Sequence, residues 1–258
     1  MNKTTIINNL FASNRFTVIA GPCAVESEEQ LDLVARKLSF LGIKIFRGGA
    51  FKSRTSPDSF QGLGIKGLQL LQQVSAKYKM ISISEIMSEK QLEVAAKYVD
   101  VFQVGARNMQ NIPLLKAIGE QQKPVLLKRG FGSTINEVVE ATKYISEQGN
   151  QKIILCERGI RTFEPATRFT LDLSSVPIFK EKTPFPVFVD PSHASGKAKL
   201  VPFLSRAALA IGADGLMVEV HENPQTARSD GLQSLTPVQF SKLLDFLRPM
   251  AALLGKEM

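Results

Sequence analysis

Residues able to bind metals, hold protons or grip anions recur through this chain at the ends of short apolar runs. In order they are Cys23, then Arg47 and Lys52, Glu85, Arg107, Lys128 and Arg129, then Glu157, Arg158 and Arg161, then Asp190 and His193, and finally Glu219 with Asp230 beyond it. Cys23, His193, Glu219 and Asp230 would make a set of one thiolate, one imidazole and two carboxylates. That mixture of soft and hard donors suits divalent Mn, Fe, Co or Zn better than Ca or Mg. Taken singly each has an ordinary reading: a cysteine near a strand end is commonly a small buried hydrophobe, and a lone histidine a satisfied polar residue. His221, two residues past Glu219, competes with His193 for the histidine role. The DPSH turn favours His193, because Asp190 stands ready to orient its imidazole.

Arg47, Lys52, Arg54, Arg107, Lys128, Arg158 and Arg161 form a second set, all cationic. Seven like charges facing one mouth repel unless an anion binds among them. Arginine suits bidentate phosphate recognition and lysine supplies a point charge, so the expected ligands are phosphorylated small molecules. The segment FRGGAFKSRTSPDSFQGLG, residues 46–64, is longer than a plain strand-to-helix connection and has the hydroxyls and glycines of a binding loop.

Only a closed fold would gather these residues. Eight apolar runs are legible: FTVIAG, IKIFRG, MISISE, VDVFQVG, PVLLKRG, KIILCERG, PVFVDPSH and GLMVEVH. Between them lie helical spacings such as Leu31, Val34, Ala35, Leu38 and Leu41, or Val138, Val139, Ala141, Thr142 and Ile145. Eight strands with helical crossovers predict an α/β single domain, a (β/α)8 TIM barrel, with an open doubly wound sheet as the alternative. The barrel is expected over residues 16–258, preceded by a short extension over 1–15. In such barrels the site lies where strands end, which is where the reactive residues stand.

Composition narrows the classes further. The chain has 258 residues, 44% of them apolar, with two cysteines and a formal charge of +8. It is long enough for a large core without disulfides, and no apolar run would span a bilayer, so a cytoplasmic protein with no membrane partner is expected. The positive charge lacks the basic runs and interleaved aromatics of nucleic-acid binders, and no nucleic-acid partner is expected.

The ordered motifs GPCAVES, KSRTSPDSFQG, GARN, LKRG, ERGIRTFE, DPSHASG and DGLQSL resemble the 3-deoxy-D-arabino-heptulosonate 7-phosphate (DAHP) synthases. The likeness is to their compact type Iβ branch, with the 3-deoxy-manno-octulosonate 8-phosphate (KDO8P) synthases as the sister family. The resemblance implies a barrel enzyme that condenses phosphoenolpyruvate with erythrose 4-phosphate and water, releasing phosphate, at the entry to the shikimate pathway. By motif position it implies a divalent metal on Cys23, His193, Glu219 and Asp230, which selects His193 over His221. Phosphoenolpyruvate would be held by Arg47, Lys52, Arg107, Lys128 and Arg158, with Glu85 and Gln103 lining its site. Arg54 and Thr55 would meet the aldose phosphate, and Lys128 would donate a proton near carbon 3. The family's usual KPRT reads KSRT here, and Ser53 frees the φ angle that proline would fix. Members of such families commonly assemble as homodimers or homotetramers.

Three alternatives carry distinct signatures. A KDO8P synthase would prefer arabinose 5-phosphate, although Arg54 followed directly by Thr55 favours the four-carbon sugar. A Schiff-base aldolase would use Lys128 or Lys52 as a covalent nucleophile and leave the four metal donors without a purpose. A non-enzymatic nucleic-acid binder would account for the charge and nothing else.

Overall fold

In the computed structural model, residues 3–52 and 56–258 are described. Ser53, Arg54 and Thr55 lie outside the described residues. Eight strands, β1 (Thr17–Gly21), β2 (Ile45–Arg47), β3 (Ile81–Ile86), β4 (Val101–Val104), β5 (Val125–Lys128), β6 (Ile153–Glu157), β7 (Val187–Val189) and β8 (Gly215–Glu219), close into a barrel in sequence order. All are parallel, and β1 completes the ring by pairing with β8, Ala20 opposite Val218. The (β/α)8 TIM barrel is the observed fold.

The helices are α1 (Lys3–Asn9), α2 (Glu28–Phe40), α3 (Ile65–Lys77), α4 (Glu89–Ala95), α5 (Ile112–Gly119), α6 (Ile135–Ser146), α7 (Ser175–Lys182), α8 (Pro191–Ser195), α9 (Val201–Ala210) and α10 (Pro237–Leu253). Their starts are written in the sequence. Ser27 caps α2 by accepting the Gln30 N–H, while Thr134 with Glu137 and Thr236 with Gln239 form reciprocal capping boxes on α6 and α10. The predicted apolar spacings are buried: Leu31, Val34, Ala35 and Leu38 on α2, and Val138, Ala141, Thr142 and Ile145 on α6.

Two apolar clusters follow from the alternation of strand side chains. Outward positions such as Val18, Phe46, Phe102, Leu127, Leu155 and Val218 join the helices in the larger one. Inward positions Ile19, Ile45, Ile83, Val101, Leu126, Ile154, Phe188 and Met217 fill the barrel. Ile6 of α1 and the following Leu10 join this inner cluster and cover its floor. The first residues therefore belong to the barrel's packing. No described helix is long and apolar enough to cross a membrane.

Candidate active site

Continuing each strand's inward alternation by one step replaces apolar side chains with reactive ones. Ile45 leads to Arg47, Ile83 to Glu85, Val101 to Gln103, Leu126 to Lys128, Phe188 to Asp190 and Met217 to Glu219. The step from Ile154 through Cys156 reaches Arg158, just past the end of β6. Outward parity gives a different result. Arg129 and Glu157, which follow or end strands with equally reactive side chains, face the helical layer and pair there at 2.9 Å. Arg129 also holds Asp172 at 2.8 Å. This pair fastens the β6 to α7 connection and stands apart from the cavity.

The mouth is a cavity of about 260 Å³ lined by Arg47, Lys52, Arg107, Lys128 and Arg158, with Glu85 and Gln103 among them. Gln103 Nε2 donates to Glu85 Oε2 at 3.3 Å. Gly105 permits this arrangement: a Cβ there would lie 1.9 Å from Glu85 Oε1. Of the seven cations expected at the mouth, Arg161 is a correction. It is exposed and does not line the cavity, although its guanidinium lies 5.6 Å from the ring centre of Phe131, which does. The chain leaves the inward face after Arg158, and an antiparallel bridge between Ile160 and Thr170 carries Arg161 outward. Arg54 and Thr55, the expected aldose-phosphate residues, lie outside the described residues.

Cys23 Sγ, one imidazole nitrogen of His193, and one carboxylate oxygen each of Glu219 and Asp230 all lie within 4.8 Å of one another. Cys23 Sγ is 2.9 Å from Asp230 Oδ2, and His193 Nε2 is 3.3 Å from Glu219 Oε1. Burial, then the charge of Glu219, pushes the Cys23 thiol up to about 12. Lys52 Nζ stands 2.9 Å from that sulfur and favours the thiolate. A buried thiol, an imidazole and two carboxylates converging on one point are a donor set that fits a divalent metal ion. His221 lies outside this cluster, its Nδ1 accepting the Asn223 N–H at 3.1 Å and its Nε2 3.6 Å from Glu26 Oε1.

The DPSH turn named from the sequence is the start of the short helix α8. Asp190 is the N-cap, Pro191 the first helical residue, and Gly196 ends the turn at φ 66°. Asp190 Oδ1 accepts the His193 N–H at 2.9 Å, and Oδ2 faces His193 Nδ1 at 2.7 Å. Lys128 Nζ reaches the same Oδ2 at 2.5 Å. Burial opposes the Asp190 charge, yet His193 and Lys128 outweigh it and hold the carboxyl well below its usual range. Ser192 contributes as well, its Oγ accepting the Glu219 N–H at 3.0 Å.

The cations are poised for anions. Arg47 is 3% exposed; its Nη1 donates to Glu219 Oε1 at 2.6 Å and to the Pro22 carbonyl, while its Nε has no partner. Burial lowers Arg158 to about 10, still a cation at neutral pH, and its buried Nη1 also lacks a partner. Arg158 lies 4.0 Å from the Phe169 ring centre, against a stacked Phe131–Phe169 pair. Both arginines line the cavity, where a guanidinium is suited to a carboxylate or phosphate. Side chains that escaped the sequence reading include Ser59, Phe131 and Arg168, which also line the cavity, and Gln233, which reaches Arg168 and Glu219. Gln233 sits inside the quoted DGLQSL, whereas Arg168 lies off the strand ends and only the fold brings it in.

Barrel closure, the four-donor cluster and a wall of cations define a (β/α)8 enzyme with a candidate metal centre, shaped for small phosphorylated acids. The chain belongs to the DAHP synthetase I family, whose sequence model matches residues 9–254. It is 54% identical over 240 residues to phospho-2-dehydro-3-deoxyheptonate aldolase of Thermotoga maritima, covering 93% of this chain and 71% of that protein. It is 33% identical over 254 residues to 2-dehydro-3-deoxyphosphooctonate aldolase of Geobacter sulfurreducens, covering 92% of each. The crystal structure of the Thermotoga maritima DAHP synthase superposes with a TM-score of 0.92 at 53% identity, over 95% of this chain and 72% of that one. A truncated form of the Thermotoga maritima enzyme gives 0.89 at 49% identity, over 95% and 89%.

Proposed function

We propose that this chain condenses phosphoenolpyruvate with erythrose 4-phosphate and water to give DAHP and inorganic phosphate, the first step of the shikimate pathway to aromatic amino acids. The observation that carries the reading is the donor cluster of Cys23, His193, Glu219 and Asp230 at a cavity that His193 and Asp230 line together with Arg47, Lys52, Arg107, Lys128 and Arg158. Identity of 54% with a DAHP synthase, against 30–33% with the octulosonate relatives, supports the four-carbon aldose.

Arg47, Lys52, Arg107, Lys128 and Arg158 hold the carboxylate and phosphate of phosphoenolpyruvate, with Glu85 and Gln103 beside them. Arg54 and Thr55 are assigned to the aldose phosphate on motif position. Fixing two polyanions against preset cations spends their translational freedom at binding, before the bond-making step. Cys23, His193, Glu219 and Asp230 hold a divalent ion, Mn, Fe, Co or Zn, which supplies a Lewis acid for the aldehyde oxygen. Carbon 3 of phosphoenolpyruvate attacks the aldehyde carbon, water adds at carbon 2, and the carbon–oxygen bond to phosphate then breaks. Lys128, anchored on Asp190, lies near carbon 3 and gives its proton to the aldehyde oxygen as the carbon–carbon bond forms, and the proton released by the adding water replaces it. The ion pair of Lys128 with Asp190, and the contact of Lys52 with Cys23, weigh against a Schiff-base aldolase, which needs a free amine.

The setting assigned is the cytoplasm, with residues 16–258 as the catalytic unit and 1–15 as its extension. Assembly as a homodimer or homotetramer is supported by outward apolar side chains on α9 and α10, Phe203 and Phe246 being 62% and 59% exposed. The test is phosphate release from phosphoenolpyruvate by metal-stripped protein resupplied in turn with Mn, Zn, Co and Fe, using erythrose 4-phosphate and arabinose 5-phosphate side by side. Turnover with the four-carbon sugar that chelator abolishes is the expected result. Preference for arabinose 5-phosphate would move the chain to the sister activity, and chelator-resistant turnover would remove Cys23 from the chemistry.

A further inference from the structure

Each carboxylate of the donor cluster has one oxygen tied outward. Gln233, 2% exposed, donates from Nε2 to Glu219 Oε2 at 2.7 Å. Its Oε1 accepts from Arg168 Nη1 at 3.2 Å, and the same Nη1 donates to Asp230 Oδ1 at 2.9 Å. The other oxygens face the centre: Glu219 Oε1 lies 3.3 Å from His193 Nε2 while also accepting from Arg47 Nη1 at 2.6 Å, and Asp230 Oδ2 lies 2.9 Å from Cys23 Sγ while accepting from Ser229 Oγ at 3.3 Å, each with a lone pair left for an ion.

We propose that Arg168 and Gln233 are positioning residues that cross-brace Glu219 and Asp230, leaving one oxygen of each for the metal. The proposal rests on the reading of the four-donor cluster as a metal site. Three separate elements meet in the brace: Glu219 ends β8, Asp230 lies in the loop beyond it, and Arg168 comes from the β6 to α7 connection. The Gln233 amide can face only one way, because turning it over would set its oxygen against Glu219 and its NH2 against the guanidinium. Asp230 also needs holding for backbone reasons. It adopts the left-handed conformation at φ 55°, one of two described non-glycine residues at positive φ. Arg168 fixes the side chain at that point and offsets the repulsion between two neighbouring carboxylates. Loss of such an outer hydrogen-bond partner typically costs about 10–100-fold in metal affinity.

The full-length chain, stripped of metal, is titrated with Co(II) alone while the thiolate-to-cobalt absorption is followed, and thermal melting of the stripped chain is measured beside it. Gln233→Leu and Arg168→Met are each expected to raise the Co(II) Kd by about 10–100-fold with unchanged melting of the stripped chain. Arg168→Lys, which keeps a charge and a donor, is expected to recover part of the affinity, and it decides the question should Arg168→Met fail to fold. Unchanged Kd in these variants, or a lower melting temperature with unchanged Kd, overturns the brace. Failure of the parent chain to give thiolate absorption would instead overturn the metal site itself, and this proposal with it.

Discussion

Asp190 Oδ2 lies 2.7 Å from His193 Nδ1, while Oδ1 of the same carboxylate caps the His193 backbone N–H. One fully buried group thus sets the start of α8 and fixes the imidazole through Nδ1, so that Nε2 is the ring nitrogen turned to the donor cluster. Asp190→Asn keeps the shape and the cap but removes the charge that holds His193 and Lys128. Metal affinity or turnover is expected to fall about 10–100-fold, read by Co(II) titration and by phosphate release. Wild-type values in both assays would refute the orienting role.

Gly105→Ala tests the reach of Glu85 into the cavity. The new methyl would lie 1.9 Å from Glu85 Oε1, and the carboxylate, being the far end of a side chain, would swing away rather than unfold the barrel. Turnover is expected to drop by roughly 100-fold, as displacement of a positioned group by about 1 Å can cost. Urea unfolding should stay close to that of the parent, and a large loss of stability would contradict this account.

Leu10→Ala removes side-chain volume from the barrel floor, where Leu10 is 2% exposed. The expected destabilisation is about 2–5 kcal/mol, measured by urea unfolding, with kcat per folded molecule unchanged. A loss of kcat without loss of stability would tie the floor to the chemistry at the other end.

Asp172 gives a pH signature unconnected with the donor cluster. Burial raises its pKa, but hydrogen bonds from Arg129 and Ser174 prevail and the folded value lies below the ordinary one. A depressed folded pKa contributes stability above the unfolded value of about 3.9, and that contribution is lost as pH falls through the folded value. Asp172→Asn is therefore expected to cost about 1 kcal/mol at pH 7 and less at pH 3. Equal costs at both pH values would show that charge is not what Asp172 contributes.

Barrel class, strand order and most cavity residues were legible because alternation with a period of two carries apolar residues straight into reactive ones on the same face. Ile45 to Arg47 and Met217 to Glu219 need no tertiary knowledge beyond closure. The same rule, applied strictly, would have set Arg129 and Glu157 aside, since they fall on the opposite parity. Arg161 and Arg168 were out of reach by any period. Both lie in the β6 to α7 connection, where the Ile160–Thr170 bridge, a long-range outcome of folding, sends one to solvent and the other to Asp230. His193 was found by type and motif, yet the helical turn that aims it became clear only from Asp190 acting as N-cap.

The packed floor beneath Ile6 and Leu10 makes this barrel a cup with a single lip. With the floor closed, a ligand held by Arg47 and Arg158 would have to enter and leave through the mouth they line. Spent phosphate and the next phosphoenolpyruvate would then share one route to the same cations.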